Sequence, residues 1–108
     1  MPAPPTDAQP VFRSLADPTR RAILMMLAER DLCIGDIADQ FSMTRPAIAK
    51  HLSILRDARL ISMRQKGREK INSLNPYALK SVFDWLSYFD RFWDDRLAHL
   101  KKAVENEG

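Results

Sequence analysis

From Ile34 to Asp57 the apolar residues keep a helical spacing twice, with one interruption at Ser42-Met43-Thr44. In the first segment Ile34, Ile37, Ala38 and Phe41 recur at three- and four-residue intervals, the pattern of a single buried helix face. In the second, Ile48, Leu52 and Leu55 fall at i, i+4 and i+7, and Arg45, Ala49, Lys50, Ser53 and Arg56 take the opposite side. Thr44 offers an N-cap oxygen to this second helix, and Pro46 falls in its first turn, where the missing N–H does no harm. Two short helices joined by a three-residue turn, the second polar on its outer face, predict a helix-turn-helix over 34–57.

The flanks extend this pattern on both sides. Val11, Phe12 and Leu15 recur at i, i+1 and i+4, which predicts a short amphipathic helix. Asp17-Pro18 is a helix start, with a carboxylate at the N-cap and Pro at the first helical position. The helix that follows turns Ile23, Leu24 and Leu27 inward and fades between Glu29 and Asp31. Residues 1–9, Pro-rich after Met1, are expected to be disordered.

Leu60 to Gln65 and Arg68 to Leu74 read as strands around a Lys66-Gly67 turn, a hairpin over 60–74. In the first strand Ile61 and Met63 share one face, and Ser62 and Arg64 the other. In the second, Ile71 stands alone among polar residues until Leu74. Such a ribbon is largely solvated and basic at its tip, as a wing lying along phosphates would be. Asn75-Pro76 then opens a last helix over 76–105, which no Gly or Pro interrupts and which spans roughly 45 Å. The expected fold is one mainly α domain over 1–108 with a two-stranded β-hairpin wing, in the order α-α-α-α-β-β-α.

Net charge is +3, and its distribution is uneven. Residues 43–70 hold eight basic side chains (Arg45, Lys50, Arg56, Arg59, Arg64, Lys66, Arg68, Lys70) against Asp57 and Glu69, a local balance of +6. The segments on either side balance at −2 and −1. A polyanion is the natural partner of such a block, and double-stranded DNA suits the helix that carries three of the eight.

The last helix carries more apolar surface than one small domain can cover. Leu79, Val82, Phe83, Leu86, Phe89, Trp93, Leu97, Leu100 and Val104 form a stripe, widened by Trp85 and Phe92. A second copy of the chain is the expected cover. The expected interface is Val11, Phe12, Leu15, Leu79, Val82, Leu86, Phe89, Trp93 and Leu97.

Other classes are disfavoured. No basic region and apolar run follow Met1, as a secretory signal would require. The longest apolar stretch, Ala22 to Ala28, is too short to span a bilayer, so no membrane partner is expected. Cys33 is the single cysteine, and the expected location is a reducing cytoplasm. There is no Gly-rich phosphate loop, Cys33 has no base near it in sequence, and His51 and His99 lie on different helices. Neither enzyme activity nor a cofactor is expected.

Leu15-Ala16-Asp17-Pro18-Thr19-Arg20-Arg21-Ala22-Ile23-Leu24 resembles the opening signature of the ArsR family of winged-helix repressors. Four further stretches resemble that family in order. They are Asp36-Ile37-Ala38, Ala47 to Arg56 in the recognition helix, Ala58-Arg59-Leu60-Ile61 entering the first wing strand, and Lys66-Gly67-Arg68 at the wing turn. Phe92-Trp93-Asp94-Asp95-Arg96-Leu97 resembles a metal-independent branch, often encoded beside a small lipid-binding-like protein and acting as its own repressor. The resemblance implies a homodimer on an inverted repeat, with each Arg45–Asp57 helix in a major groove. Thr44, Arg45, Pro46, Ala49 and Lys50 then lie at or beside the bases, Arg45 being the candidate for bidentate contact to guanine. Ser53, Arg56, Arg64, Lys66 and Arg68 fall to the phosphates, with Lys50 able to serve there as well.

Many members of the family respond to metals. One site type needs a Cys-x-Cys pair at the first helix of the motif, since soft thiolates hold soft metals. Here Cys33 has Gly35 in the second place. A second type uses Asp and His on the last helix, which holds only His99 among Asp84, Asp90, Asp94 and Asp95. No metal site is expected, and the inducer is unknown. His51 is expected to pack or to meet a phosphate. A metal- or redox-sensing repressor and a protein-docking winged helix stay open as alternatives at this point.

Overall fold

The computed structural model describes residues 8–107. Two capped helix starts organise it. Asp17 is extended (φ −100°, ψ 129°) and its Oδ2 accepts from the Arg20 N–H at 3.0 Å, with Pro18 first in α2 (Pro18–Glu29). Thr44 does the same for α4 (Arg45–Asp57), Oγ1 accepting from the Ala47 N–H at 3.3 Å. Before them runs α1 (Gln9–Leu15), and between them β1 (Leu32–Cys33) and α3 (Ile34–Asp39). The disorder expected through residue 9 is corrected at its end: Ala8 is fully buried and Gln9 is helical. Residues 1–7 lie outside the described residues.

The helix-turn-helix forms as read, with a longer turn. Helix α3 stops at Asp39, not Phe41, because Gln40 N bonds Ile37 O and Phe41 N bonds Ala38 O, both at 3.1 Å. These three-residue closures tighten the chain out of the α-helix. Helix α4 buries Ile48, Leu52 and Leu55, the three positions its spacing selects. Truncating one such residue to Ala typically costs about 2–5 kcal/mol.

Strands β2 (Ile61–Lys66) and β3 (Glu69–Leu74) pair antiparallel from Ile61↔Leu74 to Lys66↔Glu69. The turn is therefore Gly67-Arg68, one residue later than the sequence predicts. Gly67 has φ +62°, the left-handed region that glycine enters without a Cβ clash. Only Ile61 of β2 is buried, and Met63 is 40% exposed although it shares the parity of Ile61, because the ribbon runs out beyond the core.

The sheet has a third strand that the sequence does not announce. Strand β1 pairs with β3 through Leu32↔Asn72 and Cys33↔Ile71, giving the order β1-β3-β2. Two residues are too few for any alternation to be read. Asn72, expected on a polar ribbon, is 1% exposed and donates from Nδ2 to the Leu32 carbonyl at 3.2 Å.

The expected single helix over 76–105 is corrected to three pieces: a 3-10 turn (Pro76–Leu79), α5 (Lys80–Ser87) and α6 (Asp90–Glu107). Asn75 does not cap with its side chain. Its Nδ2 donates instead to the Arg59 carbonyl at 2.8 Å. At the α5–α6 step Tyr88 N bonds Trp85 O at 3.2 Å and Phe89 N bonds Leu86 O at 2.9 Å, so the bonds shorten to three residues. An edge-to-face aromatic chain packs this step, Phe12 to Trp85 at 5.5 Å and Trp85 to Phe89 at 5.3 Å between centroids.

The core gathers Ile23, Ile37, Ile48, Leu55 and Leu60, all fully buried, from α2, α3, α4 and the entry to β2. Helix α6 lies outside it: residues 91–105 are all exposed. The radius of gyration is 18.3 Å, against about 13 Å for a compact chain of this length.

Candidate nucleic-acid interface

Helix α4 meets the core with one face and turns the other to solvent. Arg45, Pro46, Ala49 and Lys50 are exposed on its first two turns, and Ser53 and Arg56 are half-buried further along. Thr44 is exposed too, but its hydroxyl is committed to the cap. The Arg45 guanidinium lies against the buried Gly35 of α3. Arg56, in the last turn, reaches Met63 Sδ on the wing at 3.8 Å from Nη1, which ties the end of α4 to β2.

The back of α4 is fixed to the α1–α2 corner. His51 is half-buried there, its Nδ1 3.8 Å from Asp17 Oδ2 and 3.5 Å from Arg20 Nη1. Arg20 also donates to the carbonyls of Ser14 at 2.9 Å and Arg13 at 3.2 Å, closing the end of α1. The Arg20 backbone N–H holds the Asp17 carboxyl below the usual carboxylate range. His51 is thus turned to the corner and away from the exposed face.

The wing presents Lys66 and Arg68 at its exposed tip. Arg64, read from the sequence as a phosphate contact, is engaged by its own chain. Its Nη1 donates to Asp31 Oδ2 at 3.0 Å and to Ser73 Oγ at 2.7 Å. The Arg64 guanidinium, and after it the Ser73 hydroxyl, hold the Asp31 carboxyl below its ordinary value. Asp31, Ser73, Asn72 and Gly35 carry no sequence signal that would have selected them, since each partner lies on a different element.

The residues read as a dimer surface divide. Val11 is 4% exposed and belongs to the core of its own chain, and Leu15, Leu79 and Val82 pack partly buried against that core. Phe12 and Phe89 are half-buried around Trp85. Leu86, Trp93 and Leu97 remain 51–64% exposed, with Phe83, Phe92, Leu100 and Val104 beside them.

The residues present do not supply the thiolate pair of the first metal-site type. Cys33, half-buried at the α3 N-cap, makes no capping bond and has glycine where a second thiolate would stand. Among the described residues no three His, Cys, Asp or Glu side chains group in a way that could hold a metal ion.

Residues 17–63, from the α2 cap through the helix-turn-helix into β2, match the family described as bacterial regulatory proteins of the arsR family. Transcriptional repressor SdpR of Bacillus subtilis (strain 168) is 40% identical over 87 residues, which is 81% of this chain and 97% of that protein. The chain belongs to the ArsR family. A second relative of this ArsR-family protein, the HTH-type transcriptional regulator Rv2034 of Mycobacterium tuberculosis (strain ATCC 25618 / H37Rv), is 36% identical over 97 residues, 90% of this chain and 88% of that one. A crystallised ArsR family transcriptional regulator superposes with TM-score 0.75 at 30% identity, covering 87% of this chain and 97% of its own. An ArsR-like transcriptional regulator from Rhodococcus sp. RHA1 gives 0.69 at 32% identity over 89% and 91%. The ArsR-family chain is a DNA-binding transcriptional regulator. No described helix is long and apolar enough to cross a membrane.

Proposed function

We propose that this ArsR-family regulator is a cytoplasmic homodimeric repressor that reads an inverted repeat, does so without a metal, and catalyses no reaction. One observation carries the reading: the outer face of α4 is an exposed polar surface opening on Arg45, and the basic wing tip stands free beyond it. Arg45, Pro46, Ala49 and Lys50 meet base edges, with Thr44 beside them. Ser53, Arg56, Lys66 and Arg68 serve the backbone, and Arg64 joins them when released from Asp31. In a single domain, residues 34–57 read, 60–74 form the wing, and α5 and α6 form the dimer. Two-fold protein symmetry requires a two-fold operator with half-sites about one helical turn apart. SdpR is named a transcriptional repressor, which supports the same sign of regulation here. Glycine at position 35, where a second thiolate would stand, supports metal independence.

The test is fluorescence anisotropy on duplex from the gene's own upstream region and on scrambled duplex, near physiological salt, with zinc, arsenite and chelator in parallel. A preference of at least ~10³-fold for the upstream duplex, indifferent to metal, is the expected result. Release by zinc or arsenite overturns metal independence. Equal weak binding to both duplexes, with no inverted repeat enriched in a genome-wide pull-down, overturns the operator reading.

A further inference from the structure

Helix α3 carries a glycine that its own backbone does not require. Gly35 is the second residue of a six-residue helix and is buried. Its φ is not positive, unlike that of Gly67. In a helical backbone alanine is the more favourable residue, so backbone freedom does not account for glycine here.

The space above its Cα does account for it. A Cβ at position 35 would stand 2.8 Å from Arg45 Nη2, 3.3 Å from Cζ and 3.8 Å from Nε. The guanidinium of Arg45 therefore rests tip-first on the bare backbone of α3, in a place that any side chain would take. The arginine side chains that hydrogen-bond among the described residues are Arg20, Arg21, Arg56 and Arg64. Among the described residues the donors of Arg45 meet no hydrogen-bond partner, at the first residue of the helix that would enter the groove.

We infer that Gly35 is a positioning residue for DNA recognition: its missing side chain leaves the seat that holds the Arg45 guanidinium in place with its donors free for a guanine edge. The inference rests on the proposed base contact of Arg45. A long side chain that is held before binding loses less rotamer freedom on contact, and its direction is set in advance.

The experiment uses the full chain and the tightest duplex selected from a random-sequence library, with each base pair of a half-site then substituted in turn. Gly35→Ala displaces only the end of a flexible side chain and improves helix propensity, so thermal stability is expected to hold or rise. Discrimination at the base pair read by Arg45 is expected to fall about five- to tenfold, part of the value of a bidentate contact. Affinity for scrambled duplex and its salt dependence should not move. Arg45→Ala should abolish discrimination at that base pair, and the double variant should match Arg45→Ala, because the seat then has nothing to hold.

Gly35→Ala with full discrimination, a loss shared by scrambled duplex, a loss additive to that of Arg45→Ala, or a gain in discrimination each overturns the inference. If Arg45→Ala alone leaves discrimination intact, the base contact itself is wrong and the inference falls with it. An effect of Arg45→Ala beside a silent Gly35→Ala removes the seat alone.

Discussion

Arg64 and Asp31, 33 residues apart in sequence, meet at 3.0 Å where the wing leaves the sheet. Both side chains are about half exposed (55% and 45%), and ion pairs in such positions contribute little to stability. The pair bears instead on charge at the interface, because the Asp31 carboxylate occupies a guanidinium that a phosphate could use. Asp31→Asn is expected to tighten binding to specific and scrambled duplexes alike. The salt dependence of affinity should steepen by about one phosphate contact. Anisotropy titrations at several salt concentrations check this; an unchanged slope would mean that Arg64 does not reach the duplex.

Leu97 is 58% exposed on α6, beyond the core of its own chain. Leu97→Glu is therefore expected to leave the fold intact and to shift the protein to monomer in sedimentation equilibrium. Operator affinity should fall with it, since one half-site contributes far less than two. A dimer as tight as wild type would show that the stripe on α6 is covered some other way.

Helix α4 ends with Arg59 in a conformation better suited to glycine. Arg59 has φ +63°, its N–H bonds Arg56 O at 2.9 Å, and the Leu60 N–H bonds Leu55 O at 3.0 Å. These two bonds form the Schellman closure, whose left-handed residue is usually Gly. Arg59→Gly is expected to raise stability by about 1 kcal/mol through relief of the Cβ clash. Urea denaturation measures it, and a loss of stability would mean that the aliphatic part of Arg59 contributes more than its backbone costs.

Asp17 couples the α2 cap to acid stability. Its folded pKa is lowered, chiefly by the Arg20 backbone N–H. A depressed carboxylate adds stability above its unfolded pKa and loses it as pH falls through the folded one. The loss therefore sets in below about pH 4. Asp17→Asn keeps a capping oxygen without the charge. It is expected to melt less differently between pH 7 and pH 3 than wild type does. Parallel acid losses in the two proteins would place the titrating group elsewhere.

What the sequence determined by itself is the part encoded over four or seven residues. Caps at Asp17 and Thr44, the Ile48-Leu52-Leu55 stripe and the exposed Arg45–Lys50 face all follow from local spacing, because a helix brings i and i+4 together whatever surrounds it. The basic wing and its Gly67 turn were legible for the same reason, to within one residue. Tertiary structure decided what depends on partners distant in sequence. Strand β1 exists because Asn72 and Ile71 lie alongside it, and Asn72 is buried because Leu32 offers a carbonyl. The C-terminal helix breaks at Tyr88-Phe89, where Trp85 packs on Phe12, without a Gly or Pro to announce it. Whether an arginine is free or held was equally unreadable. Arg64 is held by Asp31 and Ser73, and Arg45 rests on Gly35 with no hydrogen-bond partner among the described residues, since only the folded chain sets the distance between a cation and its neighbours.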